Sequence, residues 1–78
     1  MPKIDARYHK PRLPLGQWLL RQAKRTDAVG MLAQAAKRDA GFPKDGDFQA
    51  ISARLNALQA EGDMHQALEE AELDWAAY

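Results

Sequence analysis

The run Lys37-Arg38-Asp39-Ala40-Gly41-Phe42-Pro43-Lys44-Asp45-Gly46-Asp47-Phe48 packs a stop for one helix and a start for the next into a dozen positions. Gly41 suits the left-handed position just past a helix end, and Pro43 lacks the amide hydrogen that a continuing helix needs. Asp45-Gly46 turns the chain, and Asp47 offers a carboxylate to the first free amides of a following helix. Phe42, set between Gly41 and Pro43, is expected to fold back as an aromatic plug on the core. A chain with this junction near its middle is constrained to helices joined by tight links.

The flanking segments agree with that reading. Leu15, Trp18, Leu19 and the Gln22-Ala23 pair recur at helical spacing, so a first helix is predicted from Leu15 or Gly16 to Arg25. A second, capped by Thr26 or Asp27, runs to Arg38 with Val29, Leu32, Ala33 and Ala36 on its buried side. Gly30 lies inside it and disfavours it by about 1 kcal/mol against Ala, which calls for a close helix crossing or a kink there. The third helix follows Asp47 with Phe48, Ile51, Leu55 and Leu58 on one face, and Gly62 is expected to end it. Asp63 and Gln66 form an N-cap pair for a fourth helix, whose stripe is Met64, Leu68, Ala71, Trp75 and Tyr78. Leu73 falls on the opposite side of that helix, so it meets either a second intramolecular contact or a partner. Leu20 and Met31 complete the candidate core.

These elements predict an all-α protein, a small four-helix bundle spanning 15–78, in which Trp18 and Trp75 bring the first and last helices together. Residues 1–14 hold Pro2, Pro11 and Pro14 without a helical apolar period, and are expected to form an extended basic N-terminal arm, free or loosely docked. With no cysteine in 78 residues, neither disulfides nor thiolate metal sites contribute. No segment approaches the roughly 20 apolar residues that span a bilayer, and the arm has charge without an amphipathic helix. A soluble cytoplasmic protein without membrane contact is the expectation.

Trp18-Leu19-Leu20, Arg25-Thr26-Asp27-Ala28-Val29-Gly30-Met31-Leu32-Ala33, Lys37-Arg38-Asp39 with Phe42-Pro43, Ile51 with Leu55, and Trp75 with Tyr78 follow one another in an order that resembles the YozE SAM-like family of short bacterial proteins. The resemblance implies a sterile-alpha-motif-like helical bundle, whose relatives bind proteins, self-associate or occasionally bind RNA. It carries no catalytic residues over. Family members begin close to their first helix with an aromatic pair, whereas here Gly16-Gln17-Trp18 follows the basic arm.

Charge is sharply segregated beneath a net charge of zero. Up to Arg38, nine Lys and Arg stand against Asp5 and Asp27; from Asp39 onward, Lys44 and Arg54 stand against nine carboxylates. Arg21, Lys24, Arg25, Lys37 and Arg38 suit the negative ends of the first two helices. Glu69, Glu70, Glu72 and Asp74 instead crowd the C-terminal half of the fourth helix, where the macrodipole disfavours each by a few tenths of a kcal/mol. Either the arm or the first helix neutralises them within the chain, or they meet a basic neighbour.

Little else suggests chemistry. Ser52 and Thr26 have no histidine at local spacing, His65 with Glu69 and Glu72 lacks a fourth ligand, and no phosphate-binding glycine loop occurs. No cofactor, metal ion or small-molecule substrate is implied, and an enzyme is not expected. The leading expectation is an interaction module that binds protein or self-associates head to tail. Its acidic surface is Glu69, Glu70, Glu72, Leu73 and Asp74, and its basic surface Arg21, Lys24, Arg25, Lys37 and Arg38. The alternative is nucleic-acid binding by that basic set and the arm, with Tyr8 or His9 stacking on bases, against the repulsive field of the acidic half.

Overall fold

The computed structural model describes residues 13–77, all helix and turn, so the arm's residues 1–12 and Tyr78 lie outside the described part. Four helices follow in order: α1 (Leu15–Leu20), α2 (Ala28–Arg38), α3 (Phe48–Ala57) and α4 (Gly62–Ala77). α2 and α4 share the largest contact, α4 also packs on α1 and α3, and α1 touches α2 and α3. The first and last helices therefore meet, as the two tryptophans suggest. The core is small: Leu15, Leu19, Leu32, Ile51, Leu68 and Val29 are its largest fully buried side chains, and Ala33, Ala36, Ala67 and Ala71 let the helices approach closely.

α1 is shorter than predicted. It ends at Leu20, not Arg25, although residues 21–25 are good helix formers. One tertiary bond and several local ones replace it: the Gln34 amide from α2 donates to the Ala23 carbonyl (2.9 Å), the Gln22 side-chain amide donates to the Trp18 carbonyl (3.1 Å), and i→i+3 turns carry the chain to Arg25.

Asp27, not Thr26, caps α2, its carboxylate accepting from the Gly30 amide at 3.0 Å. Gly30 marks neither a helix crossing nor a kink. A Cβ placed there would lie 1.9 Å from the Arg25 carbonyl oxygen, so the incoming backbone presses on the helix where only hydrogen fits. Arg25 also grips Asp27 with two nitrogens and reaches Asp74 of α4 at 3.1 Å. This joins the start of α2 to the last helix. The Asp27 carboxyl is held below its usual range by the Arg25 fork first and the Gly30 amide second.

The junction after α2 turns as expected at Pro43–Gly46 and restarts at Asp47, whose carboxylate accepts from the Ala50 amide at 2.9 Å. Phe42 is buried. Gly41, however, is not left-handed. Its lack of a side chain makes room for Arg54: a Cβ would lie 2.5 Å from the guanidinium. Arg54 holds Asp39 through two parallel bonds (2.8 and 2.6 Å), and Asp39 accepts a third from the Gly41 amide at 2.9 Å. These bonds, the Arg54 pair foremost, lower the Asp39 pKa against the opposing effect of burial. Gly16 abuts the same loop, its amide donating to the Gly46 carbonyl at 3.1 Å.

α3 stops without Gly62. Gln59 takes the left-handed conformation (φ 58°), the Ala60 amide reaches back to the Leu55 carbonyl (2.9 Å) and the Gln59 amide to that of Asn56 (3.0 Å), which is a Schellman closure. Gly62 opens α4 instead, placing Asp63 in its first turn rather than at the cap. Met31 and Leu58, both expected in the core, are exposed, and Leu73, on the side of α4 opposite its buried stripe, is exposed as well.

Three stability measurements test this account. Gly30→Ala should destabilise by about 1–3 kcal/mol through overpacking, reversing the roughly 1 kcal/mol that Ala gains in an unobstructed helix; a higher unfolding midpoint would show that the Arg25 segment yields freely. Phe42→Ala should cost about 3–5 kcal/mol, and a near-neutral urea midpoint would contradict the plug. Because the folded Asp39 pKa is depressed, its pairing stabilises above the unfolded value of about 3.9 and is lost as pH falls through the folded value. Arg54→Met should therefore destabilise most at neutral pH, and its difference from the parent chain should shrink below about pH 4. A difference constant with pH would remove the pair from the fold's stability.

Candidate interaction surface

A period of 3.6 residues turns Leu68, Ala71 and Trp75 inward on α4 and leaves Gln66, Glu69, Glu70 and Leu73 on its outer side. The burial pattern follows: Ala67, Leu68 and Ala71 are buried, while Glu69, Glu70 and Asp74 are exposed and Glu72 is half-buried. Leu73, at 70% exposure, is the most exposed large apolar side chain among the described residues. It stands between carboxylates.

The acidic group is not uniform. Asp74 pairs with Arg25, so the fourth helix is tied within the chain at that one position. Among the described residues, Glu69, Glu70 and Glu72 form no ion pair.

The predicted basic group also divides. Arg25 is committed to Asp27 and Asp74, and its own pKa is raised, the Asp27 bond contributing most. Arg21 and Lys24 are exposed in the turn after α1, and Lys37 and Arg38 are exposed in the last turn of α2. Lys37 lines a concavity of about 280 Å³ with Leu20, Ala36, Asp39, Ala40, Phe42 and Lys44, the Asp39 carboxylate being held by Arg54. Sequence reasoning left Lys44 out of the basic set, because a lone cation inside a turn carries no local signal. The concavity sits at the C-terminal end of α2, whereas Arg25 and the Asp74 region of α4 sit at its N-terminal end, about 16 Å away at 1.5 Å per residue. Asp74, at the far end of the acidic stretch, and the lysine-lined concavity therefore lie toward opposite ends of α2.

At the inner edge of the acidic surface, the Trp75 indole donates to the Leu13 carbonyl at 2.7 Å, fixing where the chain enters the domain. His65 is half-buried and Ser52 likewise. Among the described residues, no three His, Asp or Glu side chains are grouped to hold a metal ion, and no helix is long and apolar enough to cross a membrane.

The segments that carried the family resemblance have a place in this geometry, except Tyr78, which lies outside the described residues. Arg25, Asp27 and Gly30 build the start of α2, Leu32 and Ala33 its buried face, and Asp39 with Phe42 and Pro43 the junction to α3. Trp75 secures Leu13. Comparison with curated proteins and with solved structures returns no match. The family model of the YozE SAM-like fold matches residues 17–78, nearly the whole helical region just described, and the chain belongs to the YozE SAM-like family.

Proposed function

We propose that this protein is a non-enzymatic, cytoplasmic bacterial interaction module that docks a basic protein surface on the outer face of α4, and that a second copy of the chain is such a surface. The carrying observation is Leu73, a large apolar side chain left 70% exposed among carboxylates without ion pairs in the described domain. An interface gains from an apolar anchor ringed by charges, and Leu73 on this face supplies one. The concavity at the other end of α2 complements it. Leu20, Ala40 and Phe42 offer apolar walls, and Lys37 and Lys44 offer cations to Glu69 and Glu70 of a second copy, while Asp39 in the same lining is taken up by Arg54.

Pairing unlike surfaces at opposite ends is head to tail, and it either closes into a ring or continues as an open chain. The helical SAM-like family suits a module of this kind. Nucleic acid is the weaker reading, since Arg25 is already engaged by two carboxylates and the remaining cations are divided between a turn and a helix end.

Light scattering after size exclusion tests the proposal. Mass should rise with concentration at low ionic strength and fall as salt approaches about 0.5 M, where screening shortens well below the 10 Å found at 0.1 M. Glu69→Lys with Glu70→Lys should abolish the rise, and Lys37→Glu with Lys44→Glu in the same chain should restore it. A monomer under every condition would remove self-association and leave a foreign partner. Binding of short DNA or RNA tighter than about micromolar at physiological salt, lost with Arg21 and Lys24, would replace this reading with the nucleic-acid one.

A further inference from the structure

Besides Leu73, the large apolar side chains exposed among the described residues are Met31 and Leu58, and they border one patch. Met31, at 65% exposure, stands one turn from the half-buried Ala35 on α2, and Ala35 lines a cleft of about 70 Å³ with Leu58, Ala60 and Met64. Asp39 and Arg54, each satisfied by the other, line it too. Steps of four and three residues carry the stripe from Met31 through Ala35 to Arg38, whose guanidinium forms no ion pair among the described residues. Lys37, one position earlier, turns about 100° away and lines the separate concavity.

We propose that this patch is an isologous contact, in which the α2 helices of two copies lie antiparallel across a two-fold axis and Met31 of each copy seats beside Ala35 and Leu58 of the other. Charge identifies the occupant as a second copy. At the start of α2, the half-exposed carboxylates of Asp27 and Asp74 share the single guanidinium of Arg25, so one negative charge is left over. Arg38 lies about 16 Å further along the helix at 1.5 Å per residue. Parallel helices would set like charges together, whereas the antiparallel two-fold sets each Arg38 against the other copy's acidic cluster, and does so twice. A register that places Met31 opposite Ala35 also places Arg38 opposite Ala28, the residue after Asp27, because both pairs share one midpoint. One alignment therefore serves the apolar centre and both charged ends. With only 11 residues in α2, the contact falls below the roughly 1,200 Å² of a standard interface, so the pairing is weak and depends on concentration. It uses neither the outer face of α4 nor the lysine-lined concavity, so it stands or falls apart from the head-to-tail reading.

The test uses the full chain carrying Glu69→Lys and Glu70→Lys, which removes the head-to-tail contact and leaves this one. Its mass by sedimentation equilibrium should rise to twice that of one chain and stop there. Met31→Asp in the same background should leave a monomer with unchanged helical circular dichroism. Arg38→Ser should weaken the dimer about threefold at low salt, a loss that about 0.5 M salt removes. The chain has no cysteine, so a Met31→Cys chain and an isotope-enriched Ala35→Cys chain, mixed and oxidised with glutathione disulfide, should cross-link to each other several-fold more than to themselves. A monomer up to about millimolar concentration, a dimer that survives Met31→Asp, an Arg38→Ser dimer as tight as its parent, or cross-links between like positions would each overturn the proposal.

Discussion

The carbonyl oxygen of Arg25 comes so near Gly30 that the space for a side chain does not exist. That approach sets where α2 begins, because the Gly30 amide then points at the Asp27 carboxylate and Arg25 folds its guanidinium over the same group. Once α2 starts there, its small residues Ala33 and Ala36 face inward and admit α4 closely. The second reach of Arg25, to Asp74, fixes α4 from the other side. Exposed ion pairs contribute little individually. The constraint here is steric first, and the charges hold an arrangement that the backbone contact already requires.

A similar division holds at the other end of α2. Asp39, Gly41 and Arg54 form one unit in which the missing side chain of Gly41 is the room that Arg54 occupies. Beneath it lies Phe42. The two motifs that are most distinctive in the sequence are therefore a helix start and a helix stop, and together they fix both ends of α2.

How far this was legible depends on the range over which each residue acts. Asp27, Asp47, the Pro43–Gly46 turn and the Phe42 plug act on neighbours within a few positions, and the sequence displays them. Gly41 was legible as a special position but not for its reason, since Arg54, which fills the space beside it, reaches Asp39 from 15 residues further along the chain than Asp39 itself. The early end of α1 depends on Gln34 reaching a carbonyl 11 residues back, and no propensity records that. Gln59 hid the end of α3, because a left-handed glutamine is uncommon and Gly62 three residues later offered a false stop. On the interaction surface, the carboxylates and the outward Leu73 followed from helical period alone. The withdrawal of Arg25 into an ion pair with α4, and the addition of Lys44 to the concavity, followed only from tertiary placement.

The bond from the Trp75 indole to the Leu13 carbonyl joins groups 62 residues apart. Closing so wide a loop carries an entropic cost that grows with the logarithm of its length, so ordering this contact is favourable only after the intervening helices have condensed. Local turns such as that after α2 carry almost no such cost and can form early. The indole consequently sits at a seam expected to close late, and in a Trp18→Phe chain, where Trp75 is the remaining indole, emission in a stopped-flow trace would follow a late step of assembly rather than the initial collapse.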